Sequence, residues 1–390
     1  MAKNKIIRIT TVPISMDKLL HGQLRFMSTH FEVVAISSDA AYLERVGARE
    51  GVRTFSLEMS RKITPLADFI AIVKLYFFLR KEKPFIIHSH TPKAGLVSMI
   101  AAKLSGVPHR LHTVAGLPLL ETTGVKRTLL NWVEKFTYAC ATKVYPNSKG
   151  LKEIILQEKF CTSLKLKVIG NGSSNGIDVG YFNPVLFTEL QNLALRQQLH
   201  IGTSDFVFVF VGRLVSDKGI NEMVAAFEKH QILHPLSKLL LVGDYEANLD
   251  PLLPNTLQVI QTNDAIITTG FQTDVRPYLA LSNALVFPSY REGFPNVVLQ
   301  AGAMGLPCIV TNINGCNEII EEGINGVFVS VKNTANLLFK MNQLVENNHL
   351  FHQLQTNSRS MIATRFNQQV IWEAIKKEYI QLTVDPYHIK

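Results

Sequence analysis

Apolar residues in this chain fall into short runs separated by amphipathic stretches. The first half carries seven such runs: KIIRITT (5–11), FEVVAIS (31–37), VRTFSL (52–57), FIIHSH (85–90), RLHTV (110–114), KVYPNS (143–148) and LKVIGNG (166–172). Stretches of helical period lie between them, including 66–81 and 126–141. After the polar segment 191–205 the pattern restarts, with FVFVFVGRL (206–214), KLLLVGD (238–244), AIITTGF (265–271), ALVFPSY (284–290), PCIVTN (307–312) and GVFVSV (327–332). Strands this apolar are buried on both faces, as in parallel sheets. Their alternation with helices predicts doubly wound α/β architecture, and the two sets predict two such domains, divided within 180–200. The last segment, 366–384, reads as a helix with Val370, Ile371, Ala374, Ile375, Tyr379 and Leu382 on or near one face. A terminal helix this apolar must dock on something.

Composition narrows the class. A length of 390 residues suits two or three domains, and 47% apolar residues allow a substantial core. No segment reaches about 18 uninterrupted apolar residues, so no membrane-spanning helix is expected. The N-terminus MAKNKIIRITTV has no long apolar core or cleavage site and reads as a first buried strand, not a signal peptide. Cys140, Cys161, Cys308 and Cys316 show no CxxC or metal-ligand spacing, which predicts a reduced cytoplasmic chain.

Charge separates the halves. Residues 1–180 hold 26 Lys and Arg against 13 Asp and Glu, a net +13, whereas 181–390 hold 14 against 18, a net −4. A basic first half suits an anionic membrane or a phosphorylated substrate, and equally an ordinary solvated surface. Nucleic acid is not expected, because the cations are dispersed and no binding motif accompanies them. The apolar segment LADFIAIVKLYFFLRK (66–81) ends in basic residues. It suits a helix covering the first sheet, or a helix lying on a membrane surface.

Ligands of doubly wound domains bind beyond the C-terminal ends of the strands. After 206–211 comes GRLVSDKG, where Gly212 allows a tight exit and Arg213 and Lys218 lead into a helix. Two cations with helix-terminal amides suit a diphosphate, although cations after a strand are also common surface residues. After 284–288 comes SYREGFPNVVLQAGAMG, in which Pro295 suits the first turn of a helix. Glu292 precedes that terminus, and the amides of Gly293, Phe294 and Asn296 can meet an anion or a sugar oxygen. Gln300 lies about one turn in and leans back toward the same end. A carboxylate beside a phosphate site makes sense if it binds neutral hydroxyls, and a sugar on a diphosphate supplies both groups. Glu292 is also explained as a helix-terminal acid and Gln300 as a polar residue satisfied by backbone. A third loop, NINGCNEII, brings Gly315 and Glu318 to the same sheet edge.

Taken together, FVGRLVSDKG, LLLVGD and ALVFPSYREGFPNVVLQAGAMGLPCIVTNINGCNEIIEEGINGVFV resemble the retaining glycosyltransferases of family 4. HSHTPKAGL, HTVAGLP, YPNSKG and NGSSNGIDVGYF look like the acceptor side of bacterial members that build surface polysaccharides or lipid-linked oligosaccharides, and the likeness runs to about residue 380. It implies the GT-B fold, two Rossmann-like domains facing across a cleft. These would be an acceptor domain at 1–185, a nucleotide-sugar domain at 186–362, and a helix at 363–390 crossing back to the first domain.

The resemblance also implies roles. Arg213 and Lys218 hold the donor diphosphate and stabilise the departing nucleoside diphosphate, and Glu292, the first acid of an E-x7-E motif, binds donor-sugar hydroxyls. Gly212, Gly293, Phe294, Pro295, Asn296 and Gln300 bind the donor, with Gln300 at the ribose in place of the motif's second acid. His90 and Thr91, which end their strand, contact acceptor or sugar, and His112 either joins them or is a core or strand-end histidine. No metal or cofactor is implied, and front-face attack needs no protein nucleophile. The implied partners are a nucleotide sugar, such as a UDP-N-acetylhexosamine, and a polyprenyl-diphosphate-linked sugar. The basic half would hold the protein peripherally at the inner face of the plasma membrane. A GT-B-like UDP-sugar 2-epimerase fits GRL…K and EGFPNVVLQ less well. A catalytically inactive nucleotide-sugar-binding protein would explain Gln300, yet Arg213, Lys218 and Glu292 all remain.

Overall fold

The computed structural model describes residues 3–117, 119, 122–246 and 250–384. The chain divides into two units, one built from Met1–Gly176 with Gln368–Lys390, the other from Ile177–Asn367.

In the first unit the order is β1 (Lys5–Ile9), α1 (Pro13–Leu19), α2 (Gln23–Ser28), β2 (Glu32–Ser37), α3 (Ala40–Glu50), β3 (Arg53–Ser56), α4 (Pro65–Glu82), β4 (Ile86–Ser89), α5 (Pro92–Ser105), β5 (His109–Val114), α6 (Gly124–Cys140), β6 (Lys143–Pro146) and α7 (Lys149–Gln157). The strands form one parallel sheet in the order β3-β2-β1-β4-β5-β6. Strand order therefore reverses between β1 and β4, and the ends of these two strands mark the switch point.

The second unit repeats the plan. It runs α8 (Glu189–Gln198), β7 (Phe206–Val211), α9 (Ile220–Leu233), β8 (Ser237–Val242), α10 (Pro254–Thr262), β9 (Ile266–Thr268), α11 (Arg276–Ala280), β10 (Ala284–Phe287), α12 (Asn296–Ala303), β11 (Cys308–Thr311), α13 (Cys316–Ile319), β12 (Gly326–Val329), α14 (Thr334–Glu346) and α15 (Asn348–Phe366). Its parallel sheet is ordered β12-β11-β10-β7-β8-β9, so the switch point lies between β7 and β10. Phe208, Phe210, Leu240 and Val286 are wholly buried at the centre of its core, as strands covered by helices on both faces require.

One expected strand is absent. Segment 166–172 makes a single bridge, Leu166 to Val144, and then turns through Gly170 and Gly172 at positive φ, which ends any ladder. The division after Gly176 comes ahead of residue 185, because Ile177 is already tied into the second unit. Its N–H donates to Phe366 O at 2.8 Å, and the Arg359 guanidinium donates to the carbonyls of Val179 and Phe182, each at 2.8 Å.

The terminal helix α16 (Gln368–Val384) belongs to the first unit. Ile371, Ile375, Tyr379 and Leu382 enter the core between the sheet and α2–α3, with Ile6, Leu24, Met27 and Leu43. Polar contacts pin it further. Tyr145 Oη donates to Glu378 Oε1 at 3.0 Å, and Trp372 Nε1–H donates to Asn175 Oδ1 at 2.7 Å. Residues 385–390 of the expected helix, and Pro118 of HTVAGLP, lie outside the described residues.

Candidate functional site

The second unit gathers its predicted residues at the switch point. Arg213 and Lys218 follow β7, and Glu292 follows β10, its neighbour in the sheet. Lys218 Nζ donates to Glu292 Oε1, and both side chains are about five-sixths shielded, at 16% and 15% exposure. Ser289 Oγ donates to the same carboxylate oxygen at 2.9 Å. Lys218 Nζ also stands 5.7 Å from the centre of the Phe287 ring. Arg213 is half-exposed, and its Nη1–H donates to Glu246 Oε2 at 2.6 Å.

Two glycines bring the loops together. Gly219, at φ +71°, caps α9 with its Cα against the Pro288 carbonyl, and a Cβ there would sit 2.2 Å from that oxygen. Gly315, at φ +77°, presses on the turn after Glu292, and its Cβ would meet Gly293 O at 2.4 Å. Any other residue would push the β7 and β11 loops away from the β10 loop.

The turn itself is held from behind. Asn314 Nδ2 donates to Glu292 O at 2.8 Å and to Gly293 O at 3.0 Å. With the carbonyls turned toward Asn314, the N–H groups of Gly293, Phe294 and Asn296 have no protein acceptor among the described residues. The Phe294 ring is buried against Phe366, at 5.5 Å between centroids. Pro295 occupies the N-cap of α12 and not its first turn, so the helix begins one residue later, at Asn296. No side chain caps this terminus, which leaves its amides and the positive end of its dipole available to an acceptor. Gln300 is half-buried one turn in, and no hydrogen bond of its side chain is found among the described residues. Gly212 continues β7, its N–H donating to Val242 O at 3.0 Å.

Two residues of this site, Asn314 and Ser289, escaped sequence reasoning. The NINGC loop was visible, but it pointed to Gly315 and Glu318. Asn314 acts through backbone carbonyls that only the folded turn turns toward it. Around the loops, Arg291 Nη2 donates to Asp217 Oδ2 and Tyr290 Oη to Glu222, at 2.6 and 2.7 Å.

In the first unit, His90 and Thr91 lie at the switch point. Thr91 Oγ1 accepts the Thr11 N–H at 2.9 Å and lies 2.7 Å from Thr11 Oγ1, joining the ends of β1 and β4. Arg8, wholly buried in β1, donates its Nε–H to His90 Nε2 at 3.1 Å and a second N–H to Gln23 Oε1. A neutral His90 that accepts at Nε2 carries its proton on Nδ1, an atom with no partner among the described residues. Burial, with His88 and Arg8 nearby, holds the His90 imidazole well below its ordinary pKa.

His112 does not join them. It is buried under α5, its Nδ1 2.8 Å from Ser89 Oγ and its ring against Gly95, where a Cβ would come within 2.5 Å. Burial alone lowers its pKa to about 4. This is the geometry of a core histidine. Gly22, the one glycine after β1, packs against the Trp372 indole.

No group of three or more His, Cys, Asp or Glu side chains positioned for a metal ion occurs among the described residues. No helix of the described chain is long and apolar enough to cross a membrane.

Comparison with known proteins agrees with this arrangement. The family model "Glycosyl transferases group 1" matches residues 191–361, and "Glycosyl transferase 4-like domain" matches residues 25–172. The chain is 32% identical to the capsular polysaccharide biosynthesis glycosyltransferase CapM of Staphylococcus aureus, covering 97% of both chains. It is 30% identical to the UDP-Gal:alpha-D-GlcNAc-diphosphoundecaprenol alpha-1,3-galactosyltransferase of Escherichia coli, covering 86% of each. Its fold matches the UDP complex of Alr3699/HepE from Anabaena with a TM-score of 0.81 at 18% identity, over 97% of this chain and 100% of that one. The fold is GT-B, and the chain belongs to the group 1 glycosyltransferases with a 4-like N-terminal domain.

Proposed function

We propose that the chain moves a sugar from a uridine-diphosphate donor, a UDP-N-acetylhexosamine or similar, onto a sugar carried by a polyprenyl diphosphate. The product would feed capsule or another bacterial surface glycan, and the work would be done at the inner face of the plasma membrane. The names of the S. aureus and E. coli relatives support this setting and this acceptor class.

The observation that carries the reading is the Lys218–Glu292 pair beside unclaimed amides at the β7–β10 switch point. A donor diphosphate offers Lys218 and Arg213 a better partner than a carboxylate, because it carries more charge and more acceptor oxygens. Glu292, released from Lys218, then accepts hydrogen bonds from sugar hydroxyls, and the amides of Gly293, Phe294 and Asn296 meet sugar or phosphate oxygens. Pro295 starts α12 at that point, Gly212 lets the β7 loop approach closely, and Gln300 takes the ribose. His90 and Thr91 are assigned to acceptor or donor sugar; His112 stays with the core.

Transfer proceeds with retention. The acceptor hydroxyl oxygen forms a bond to the anomeric carbon on the face the diphosphate leaves. The bond from that carbon to the phosphate oxygen breaks, and its electron pair departs with the nucleoside diphosphate. The acceptor proton passes to a donor phosphate oxygen. Lys218 and Arg213 stabilise the negative charge developing on the leaving group, which is strongest in the transition state. No metal is needed for this role, and turnover is expected to persist in excess chelator.

A donor panel offered with a polyprenyl-diphosphate-linked sugar, with products read by mass and anomeric configuration by NMR, tests the proposal. An inverted product, or strict dependence on added Mg or Mn, overturns the mechanism.

A further inference from the structure

Three helices cover one face of the first sheet, and α5 packs against both α4 and α6. Helix α4 buries Ala71, Leu75 and Leu79 against the core. Its opposite side is apolar too. Leu66, Phe69, Ile70, Val73 and Phe77 are all exposed, Phe77 at 65%. Their spacing puts them on one stripe of a helix. Helix α6 repeats the arrangement. It buries Tyr138 and Cys140 inward and exposes Val125, Leu129, Trp132 and Phe136, again one stripe, with Trp132 at 69%. Both helices turn their other side to the same sheet face, so both stripes point away from it. Single exposed apolar residues are ordinary, but two stripes on either side of α5, holding four large aromatics, mark an interaction surface.

Charge decides what covers it. Lys74, Arg80 and Lys81 on α4, and Lys126 and Lys135 on α6, are exposed around the stripes. The only acids of α4 and α6 are Asp68, ion-paired with Lys93, Glu82, shielded and ion-paired with Lys5 and Arg53, and the buried Glu134. A second copy of this chain docking by this face would set cations against cations, as two-fold contacts require. An anionic bilayer complements both properties: aromatic rings sit at headgroup depth, and cations meet lipid phosphates.

We propose that the exposed faces of α4 and α6 form the surface by which the first unit lies on an anionic bilayer. Trp132, Phe136, Phe69 and Phe77 enter the headgroup layer, and the surrounding lysines and arginines contact phosphates. The proposal rests on the lipid-linked-acceptor reading above, because it supplies the contact that holds the enzyme where such an acceptor resides.

The test uses the full chain with phosphatidylcholine vesicles, with and without phosphatidylglycerol. The wild type is expected to sediment with phosphatidylglycerol vesicles at low salt. Phe69→Ser/Phe77→Ser and Trp132→Ser/Phe136→Ser should abolish sedimentation with melting temperatures unchanged. Lys126→Gln/Lys135→Gln should weaken it by about tenfold or more. Acyl-chain-brominated lipids should quench tryptophan emission in the wild type and not in Trp132→Phe. A wild type that stays in the supernatant, or double variants that bind like it, overturns the proposal. So does a concentration-dependent dimer that these variants disrupt, which would assign the face to a second copy. Transfer to a water-soluble, short-chain diphosphate-linked acceptor separates the two readings. If transfer persists without vesicle binding, this surface alone falls. If binding persists without transfer to any diphosphate-linked acceptor, the surface stands and the acceptor reading falls.

Discussion

Lys218 donates to Glu292 across 74 residues of sequence, and each neutralises the other at the ends of adjacent strands. Two charges this shielded are costly to separate unless a ligand replaces each partner. The pair therefore behaves as a latch that a nucleotide sugar is suited to open, with phosphate for the lysine and hydroxyls for the glutamate.

Replacing either cation tests the latch. Lys218→Ala and Arg213→Ala should each lower kcat by about 100-fold or more, the scale of losing one group that stabilises developing charge. Circular dichroism and melting temperature should stay near wild type for Arg213→Ala, whose side chain is half-exposed. Near wild-type turnover in both variants would remove the diphosphate assignment.

Gln300 carries a different expectation. Its amide keeps one acceptor oxygen for a ribose hydroxyl, whereas a carboxylate accepts more strongly by about 1 kcal/mol. Gln300→Glu should retain transfer and tighten donor binding several-fold by calorimetry. Complete loss of activity would show that Gln300 has another task.

The terminal helix is held by Tyr379, wholly buried, whose hydroxyl lies 2.5 Å from His88 Nδ1. Tyr379→Phe should cost about 1–3 kcal/mol in chemical denaturation, because it strands a buried imidazole nitrogen. Tyr379→Ala adds a cavity and should cost about 3–5 kcal/mol.

Acid stability should follow the buried histidines. Burial lowers both His112 and His230 to about 4, from 6.5 in the unfolded chain. The unfolded state therefore binds more protons between those values, and stability falls as pH drops from 6.5 toward 4. At about pH 5.5 each histidine accounts for roughly 1.4 kcal/mol of the loss. Glu82, held to about 2 by Arg53 and Lys5, adds a further loss as pH falls from 4.5 toward 2. Melting curves should be flat above pH 6.5 and decline below it, with a shallower decline in His230→Gln. A melting temperature independent of pH down to 4.5 would contradict the buried, neutral assignment.

Much of this architecture was legible in one dimension. Uninterrupted runs such as FVFVFV need cover on both faces, and their alternation with helical stretches leaves little besides two parallel doubly wound sheets. The chemistry of single loops was legible too, because a glycine exit, two cations and a proline-started helix are local features. The expected strand at 166–172 failed on the same local ground, since its apolar residues lead into glycines that turn.

What only tertiary structure decided depends on which residues meet across long separations. Composition cannot show that Glu292 faces Lys218, that Asn314 turns the carbonyls of Glu292 and Gly293 away from a ligand, or that His112 faces α5 while His90 faces Arg8. Nor does the periodicity of α4 and α6 tell a buried stripe from an exposed one, because both sides of each helix carry apolar residues and only packing against the sheet chooses between them.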